Sequence, residues 1–134
     1  MFGVIAELPG APPDADRVAS AVESVQSIEY TSTARVPVEA TEVKLTESSV
    51  ALRGPGGTAH ATFAGGPVTP VRPGTRLSDV LHGRPAGEAY PVPGSLRRAI
   101  QASQRRPATW RAAGDAITVR RIRYGEVDSV LVGP

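Results

Sequence analysis

The segment WRAAGDAITVR, residues 110–120, carries the strongest strand-pairing signal in the chain. Short apolar runs flank Gly114-Asp115, and a two-residue turn with glycine first favours a β-hairpin. In that register Trp110 lies opposite Val119 on one face, and Arg111 and Arg120 lie on the other face. We therefore predict a hairpin in which Trp110 is buried.

The sequence after this hairpin predicts further strand. The alternation of apolar and polar residues shifts by one position between Val119 and Ile122. Such a shift predicts a β-bulge near Arg120-Arg121. Residues 127–132 have apolar side chains in both phases, as an interior strand does. The carboxyl-terminal segments together predict a three-stranded meander.

Two amphipathic helices are predicted. The first begins at a cap within Pro12-Pro13-Asp14, and apolar residues recur along it at spacings of three and four, at Val18, Ala21, Val22, Val25 and Ile28. The second begins with Ser95 as its cap, turns Leu96 and Ile100 to one side, and ends before Pro107. Both apolar stripes need a surface to pack on.

Three short Val-containing segments, 35–38, 42–45 and 48–53, are predicted strands. Gly54-Pro55-Gly56-Gly57 follows the third, and alternating apolar residues resume after it, so we predict a hairpin with a four-residue loop. A phosphate-binding loop would lead into a helix, and the strand pattern here favours the turn instead.

Residues 65–94 form a connection rich in proline and glycine. The prolines leave room for a short helical turn over residues 75–82, and His82-Gly83 fits its end. We expect this connection to be a long functional loop or a segment that is ordered against a partner.

The order of these elements predicts the fold class. Hairpins rather than helical crossovers join most strands, so we predict one α+β domain over residues 1–134, with mostly antiparallel sheets, two helices and the three-stranded meander. The alternative is an all-β barrel or sandwich with flanking helices.

Composition excludes several classes of function. The chain has no cysteine and two histidines, which excludes disulfides and structural zinc sites, and we predict no metal and no cofactor. Charges or prolines interrupt every apolar run, so we expect no membrane insertion. The first residues lack a basic flank and reach an acid at Glu7, so we expect no signal peptide and a cytoplasmic location.

Charge is distributed unevenly along the chain. Residues 1–50 contain eight acids and three bases, whereas residues 51–134 contain five acids and twelve bases. Clustered arginines bind phosphates, acidic peptides and anionic surfaces, although GC-rich codons and ordinary solvated faces also explain an arginine excess. The candidate binding residues lie between positions 97 and 123 and are Arg97, Arg98, Arg105, Arg111, Arg120, Arg121 and Arg123.

These features support three functional hypotheses. The first is a non-catalytic interaction or assembly module, a subunit of a larger complex or a homo-oligomer, with the arginine-rich carboxyl-terminal third as its binding face. The second is a nucleic-acid-binding domain that contacts phosphates through the same arginines. With Trp110 predicted inside, few aromatic side chains remain for base stacking, so a protein partner or self-association is favoured over nucleic acid.

The third hypothesis is a small cofactor-free enzyme. Its candidate acid–base groups are His82, Asp79, His60 and Glu88. Asp79 and His82 are three residues apart, a spacing that brings two side chains together on a helical turn. The simpler interpretation makes His82 the end of a short helix and His60 a solvent-facing strand residue.

Overall fold

The computed structural model describes residues 13–134, so the expectations about a signal peptide and Glu7 fall outside the described range. The helices of this range are α1 (Ala15–Ser27), α2 (Arg76–Leu81), α3 (Ala86–Ala89) and α4 (Pro93–Arg105). The strands are β1 (Ser32–Pro37), β2 (Glu42–Leu45), β3 (Ser49–Gly54), β4 (Gly57–Thr62), β5 (Thr69–Pro70), β6 (Arg111–Ala112), β7 (Ala116–Tyr124) and β8 (Val127–Gly133). In residues 13–134 no helix combines the length and the apolar character that crossing a membrane requires.

The strands form two four-stranded sheets. Sheet A has the order β1-β7-β8-β5, and sheet B has the order β4-β3-β2-β6. Every pairing is antiparallel except that of β5 with β8. The predicted α+β class with mostly antiparallel sheets is confirmed, and neither sheet closes into a barrel.

Sheet A separates two hydrophobic cores. Val119 and Val132 pair across β7 and β8 on the face that packs against α1 and sheet B. Ile122 and Leu131 lie on the opposite face, in the core formed with α2, α3 and α4. The prediction that residues 127–132 form an interior strand is confirmed, because β8 is buried on both faces.

Burial on both faces of sheet A also corrects the prediction of a bulge in β7. The pairing of β7 with β8 runs without a break from Thr118 opposite Gly133 to Tyr124 opposite Val127. The apolar phase changes because side chains on both faces of β7 are buried, and no extra residue is inserted. The bulge predicted near Arg120-Arg121 is therefore wrong.

The predicted hairpin across Gly114-Asp115 is also wrong. Strand β6 pairs with β2 of sheet B, whereas β7 pairs with β1 and β8 of sheet A. Gly114 has a φ of +66°, a conformation that glycine adopts without strain, where the chain passes from one sheet to the other. The meander is reduced to β7 and β8, and Trp110 does not pair with Val119.

Both predicted amphipathic helices are present. The Asp14 side chain accepts a hydrogen bond from the Arg17 N–H at 3.2 Å and caps α1, whose buried residues include Val18, Val22 and Val25. Helix α4 begins at Pro93 rather than after Ser95, and the Ser95 hydroxyl donates to the Val92 carbonyl at 2.7 Å. Proline suits the first position of a helix because its missing N–H is not needed there.

Local turn signals locate the β3–β4 hairpin correctly, with a shorter loop than predicted. Gly54 pairs with Gly57, so the loop consists of Pro55 and Gly56 rather than four residues. The predicted strand over residues 35–38 begins earlier, at Ser32.

The proline-rich connection 65–94 forms one wall of the second core. It contains β5, α2 and α3, and Val80 and Leu81 are almost completely buried. The predicted helical turn is confirmed, since the Thr75 side chain accepts from the Ser78 N–H at 3.2 Å and His82 ends α2. The connection therefore covers one face of sheet A.

Candidate functional site

A small cleft of about 40 Å³ opens between the two sheets. Strands β2 and β6 form one side, and the residues after β5 and after α4 form the other. The lining combines apolar side chains with three arginines: Val43, Leu45, Pro70, Val71, Pro107, Arg72, Arg106 and Arg111. We call this feature the arginine cleft, and we call Arg72, Arg106 and Arg111 the cleft arginines.

Hydrogen bonds between distant segments position the arginine cleft. The Ser103 hydroxyl donates to the Pro70 carbonyl, which joins α4 to β5. Gln104 Nε2 donates to the Val68 carbonyl at 3.2 Å and strengthens the same junction. Arg72 Nη2 donates to the Pro107 carbonyl at 3.2 Å across the mouth of the cleft. These contacts hold the segment that carries Arg72 against the segment that carries Arg106.

The cleft arginines bring three positive charges to one site, whose lining also includes Pro134 at the carboxyl end of the chain. Within residues 13–134, none of the three forms an ion pair, although four other ion pairs occur there. Burial lowers the pKa of Arg72 from its ordinary value, and the neighbouring Arg111 and Arg106 guanidiniums lower it further. The electrostatic cost of this arrangement falls when an anion enters the cleft.

Trp110 lies beside the cleft, on the outer face of sheet B. Its ring contacts two cations, with Arg53 Cζ 4.2 Å and Lys44 Nζ 5.4 Å from the ring centroid. Arg53 Nε also donates to Glu42 Oε1 at 2.7 Å. The prediction of a buried Trp110 is wrong, because this side chain is half-buried and packs on a cationic surface.

Of the predicted binding residues, only Arg111 lines the arginine cleft. Arg97, Arg98 and Arg105 are exposed on α4, away from its buried side. Arg123 Nε donates to Asp128 Oδ2 at 3.3 Å.

Arg120 and Arg121 are half-buried, and their guanidinium groups donate to protein groups. Arg120 donates to the carbonyls of Val80 and Arg84, at the end of α2 and beyond it. Arg121 donates to the carbonyl of Ile28, at the end of α1, and to both carboxylate oxygens of Asp128. The structure therefore divides the predicted arginine surface into separate groups.

The candidate acid–base residues do not meet at one cleft. His82 Nδ1 lies 2.8 Å from the Ser78 carbonyl, with which it ends α2. His82 and His60 line different clefts, and neither Asp79 nor Glu88 lines either of these. In residues 13–134, no group of three or more His, Asp or Glu side chains is placed to hold a metal ion.

Sequence reasoning missed two of the three cleft arginines as binding residues. Arg106 directly follows Arg105, the last residue of α4. This place in a pair of arginines is the only feature of the sequence that indicates a binding role for Arg106. Arg72 lies between Pro70 and Pro73 in the connection, where no periodicity marks a side chain's direction. The convergence of these residues depends on contacts between distant segments.

The α+β fold thus carries one cleft at which three arginines from separate segments meet. The chain belongs to a family of unknown function, DUF7283, which matches residues 1–122. Neither the curated proteins nor the solved structures give a match to the chain.

Proposed function

We infer that this protein is a non-catalytic interaction module, a subunit of a larger complex, that binds an acidic segment of a protein partner in the arginine cleft. One observation carries the proposal: three arginines from separate segments converge on one cleft and form no ion pair within residues 13–134. Such a site favours carboxylates, because guanidinium groups form paired hydrogen bonds with them. We expect the complex to be cytoplasmic.

The lining of the cleft favours a peptide over a nucleic acid. Leu45 and Pro70 are half-buried and Pro107 is exposed, and they give the cleft apolar walls that side chains of a peptide can contact. Proteins that bind single strands usually stack several bases on several aromatic residues. Trp110 is the only tryptophan of the chain, and its ring already contacts Arg53 and Lys44.

Fluorescence anisotropy with a labelled oligoglutamate peptide tests this proposal. We expect the double variant Arg106→Gln/Arg111→Gln to weaken binding about tenfold or more, because each lost guanidinium removes a charge-assisted hydrogen bond. The matched control is Arg97→Gln/Arg98→Gln, which makes the same change in net charge on the exposed side of α4. We expect it to change affinity by about twofold or less at about 150 mM salt.

Three outcomes would change the proposal. Equal losses in both double variants would show nonspecific attraction and overturn the arginine cleft as the site. Tighter binding of a single-stranded oligonucleotide of equal charge, lost in the cleft variant and steeply dependent on salt, would replace the acidic peptide with a nucleic acid. A solution mass that rises with concentration, and is restored to the monomer by the cleft variant, would assign the acidic segment to a second copy of this chain.

A further inference from the structure

We propose that the acidic segment binds as an added β-strand along the open edge of β6, with alternate side chains entering the arginine cleft. This inference rests on the proposed function and specifies how the partner is held. The edge lies directly beside the cleft, because Arg111 belongs to both. An extended chain paired with β6 would therefore lie at the mouth of the cleft.

Strand β6 is an edge strand. It is the last strand of sheet B and pairs only with β2 in the described part of the chain. Arg111 and Ala112 are both exposed. An unpaired edge of this kind presents backbone donors and acceptors to an incoming chain.

The hydrogen bonds of the neighbouring residue show which backbone groups of β6 point away from β2. The Ala113 N–H donates to the Thr41 carbonyl at 3.0 Å, on the side of β2. Backbone groups point to alternate sides along a strand, so the N–H and C=O of Ala112 point away from β2. These two groups are the ones that an added strand would pair with.

The side chains of β6 predict the pattern of the partner's sequence. Arg111 lies opposite Val43 and enters the cleft, whereas Ala112 lies opposite Glu42 on the outer face with Trp110. Residues of an added strand alternate between the same two faces. A fitting segment therefore has acidic residues at alternate positions, facing the cleft arginines, and apolar residues between them, facing Ala112 and Trp110.

The other edges of the two sheets fit an acidic strand less well. β4 is the opposite edge of sheet B and contains no basic residue except His60. β1 is an edge of sheet A, and Arg35 is the only basic residue in this strand. β5, the other edge of sheet A, reaches the cleft at Pro70, but it has only two residues and its proline has no N–H to donate to an added strand.

The test uses a labelled peptide of about seven alternating glutamate and valine residues, with blocked ends. Ala112→Pro removes the outward N–H, which donates to no residue between 13 and 134, and edge strands tolerate proline at such a position. We expect this variant to bind the peptide about fivefold or more weakly, because a backbone hydrogen bond is lost. Ala112→Val keeps the N–H and is the matched control, with a change of about twofold or less.

A second set of measurements does not depend on how the protein variant folds. Two modified peptides are compared, one N-methylated at every glutamate and the other at every valine. Both keep their charge, and each lacks the backbone N–H at every second residue. Strand addition predicts that one of these two peptides loses binding to the wild-type protein and that the other keeps it. Equal binding of both, together with unchanged affinity in Ala112→Pro, would overturn strand addition and leave the acidic-peptide function standing. No binding of the unmethylated peptide, with none for oligoglutamate, would overturn both.

Discussion

Arg120 and Arg121 are consecutive residues of β7, yet they hydrogen-bond to the ends of two different helices on opposite faces of sheet A. Arg120 Nη1 donates to the Val80 carbonyl in α2, and Arg121 Nη1 donates to the Ile28 carbonyl that follows α1. Consecutive strand residues point to opposite faces, which explains the division. A cation at the carboxyl end of a helix also interacts favourably with the helix dipole.

Arg120→Ala is expected to lower the free energy of unfolding by about 1–3 kcal/mol, because carbonyls that accept from a charged donor lose their partner. Urea denaturation measures this change. Arg97→Ala, on the exposed side of α4, is the control and should stay within about 0.5 kcal/mol of the wild type. Similar losses in the two variants would mean that Arg120 does not support α2.

Acid should weaken the pairing of Arg121 with Asp128. Arg121 Nε and Nη2 donate to the two carboxylate oxygens at 3.0 and 2.9 Å, and this contact holds the pKa of Asp128 below its ordinary value. The unfolded chain therefore takes up this proton at a higher pH than the folded protein. The stabilisation is complete above about pH 4 and is lost as the pH falls through the lower, folded pKa.

Urea midpoints between about pH 5 and pH 2 test this dependence. Asp128→Asn should be less stable than the wild type at neutral pH, and the difference should shrink as the pH falls. A difference that stays constant over this range would show that the carboxylate charge is not responsible.

Trp110→Ala should destabilise the protein by about 1 kcal/mol, because the half-buried ring contributes cation–π contacts with Arg53 and Lys44 rather than core packing. A buried tryptophan would cost about 3–5 kcal/mol. Because Trp110 is the only tryptophan, fluorescence excited selectively at tryptophan, apart from the three tyrosines, reports on this site alone. We expect its emission to be accessible to acrylamide in the free protein and to shift when the glutamate–valine peptide binds.

Gly133→Ala should destabilise the protein by about 1–3 kcal/mol through overpacking. A Cβ at this position would lie 2.5 Å from the Val71 carbonyl oxygen, where β8 approaches the segment after β5. Gly94→Ala is the control, since its Cβ would meet nothing closer than 4.0 Å, and the added helix propensity should be neutral or stabilising by up to about 1 kcal/mol. Thermal denaturation of both variants measures the contrast.

Elements with local signals could be predicted from the sequence. The cap at Asp14 and the stripe of Val18, Val22 and Val25 define α1 within one stretch of chain. The ends of α2, at Thr75 and His82, follow from the same kind of signal. Each of these elements is stabilised by contacts between residues only a few positions apart, which a pattern in one sequence can show.

The partner of β6 could not be predicted, because only two residues pair there and their partner lies about seventy positions away in β2. Gly114 resembles a hairpin turn in the sequence, but its positive φ serves a change of sheet instead. The same non-local contact decides the site: it turns Arg111 into the cleft and Trp110 onto the outer face. The number of arginines near position 111 was visible in the sequence, whereas the convergence of Arg72 and Arg106 on Arg111 was not.

The central position of β7 and β8 in sheet A also determines the order in which the chain can fold during synthesis. Sheet B has a local nucleus, since β2, β3 and β4 are consecutive and can pair once residue 62 has emerged from the ribosome. Among residues 13–134, β1 pairs only with β7 and β5 only with β8, so neither has a strand partner from this range until residues 116–133 have been translated. Until then, the apolar face of α1 and the connection 65–94 lack the sheet between them. A ribosome paused before residue 116 would therefore carry a chain with one formed sheet and exposed apolar surface, the kind of intermediate that chaperones bind.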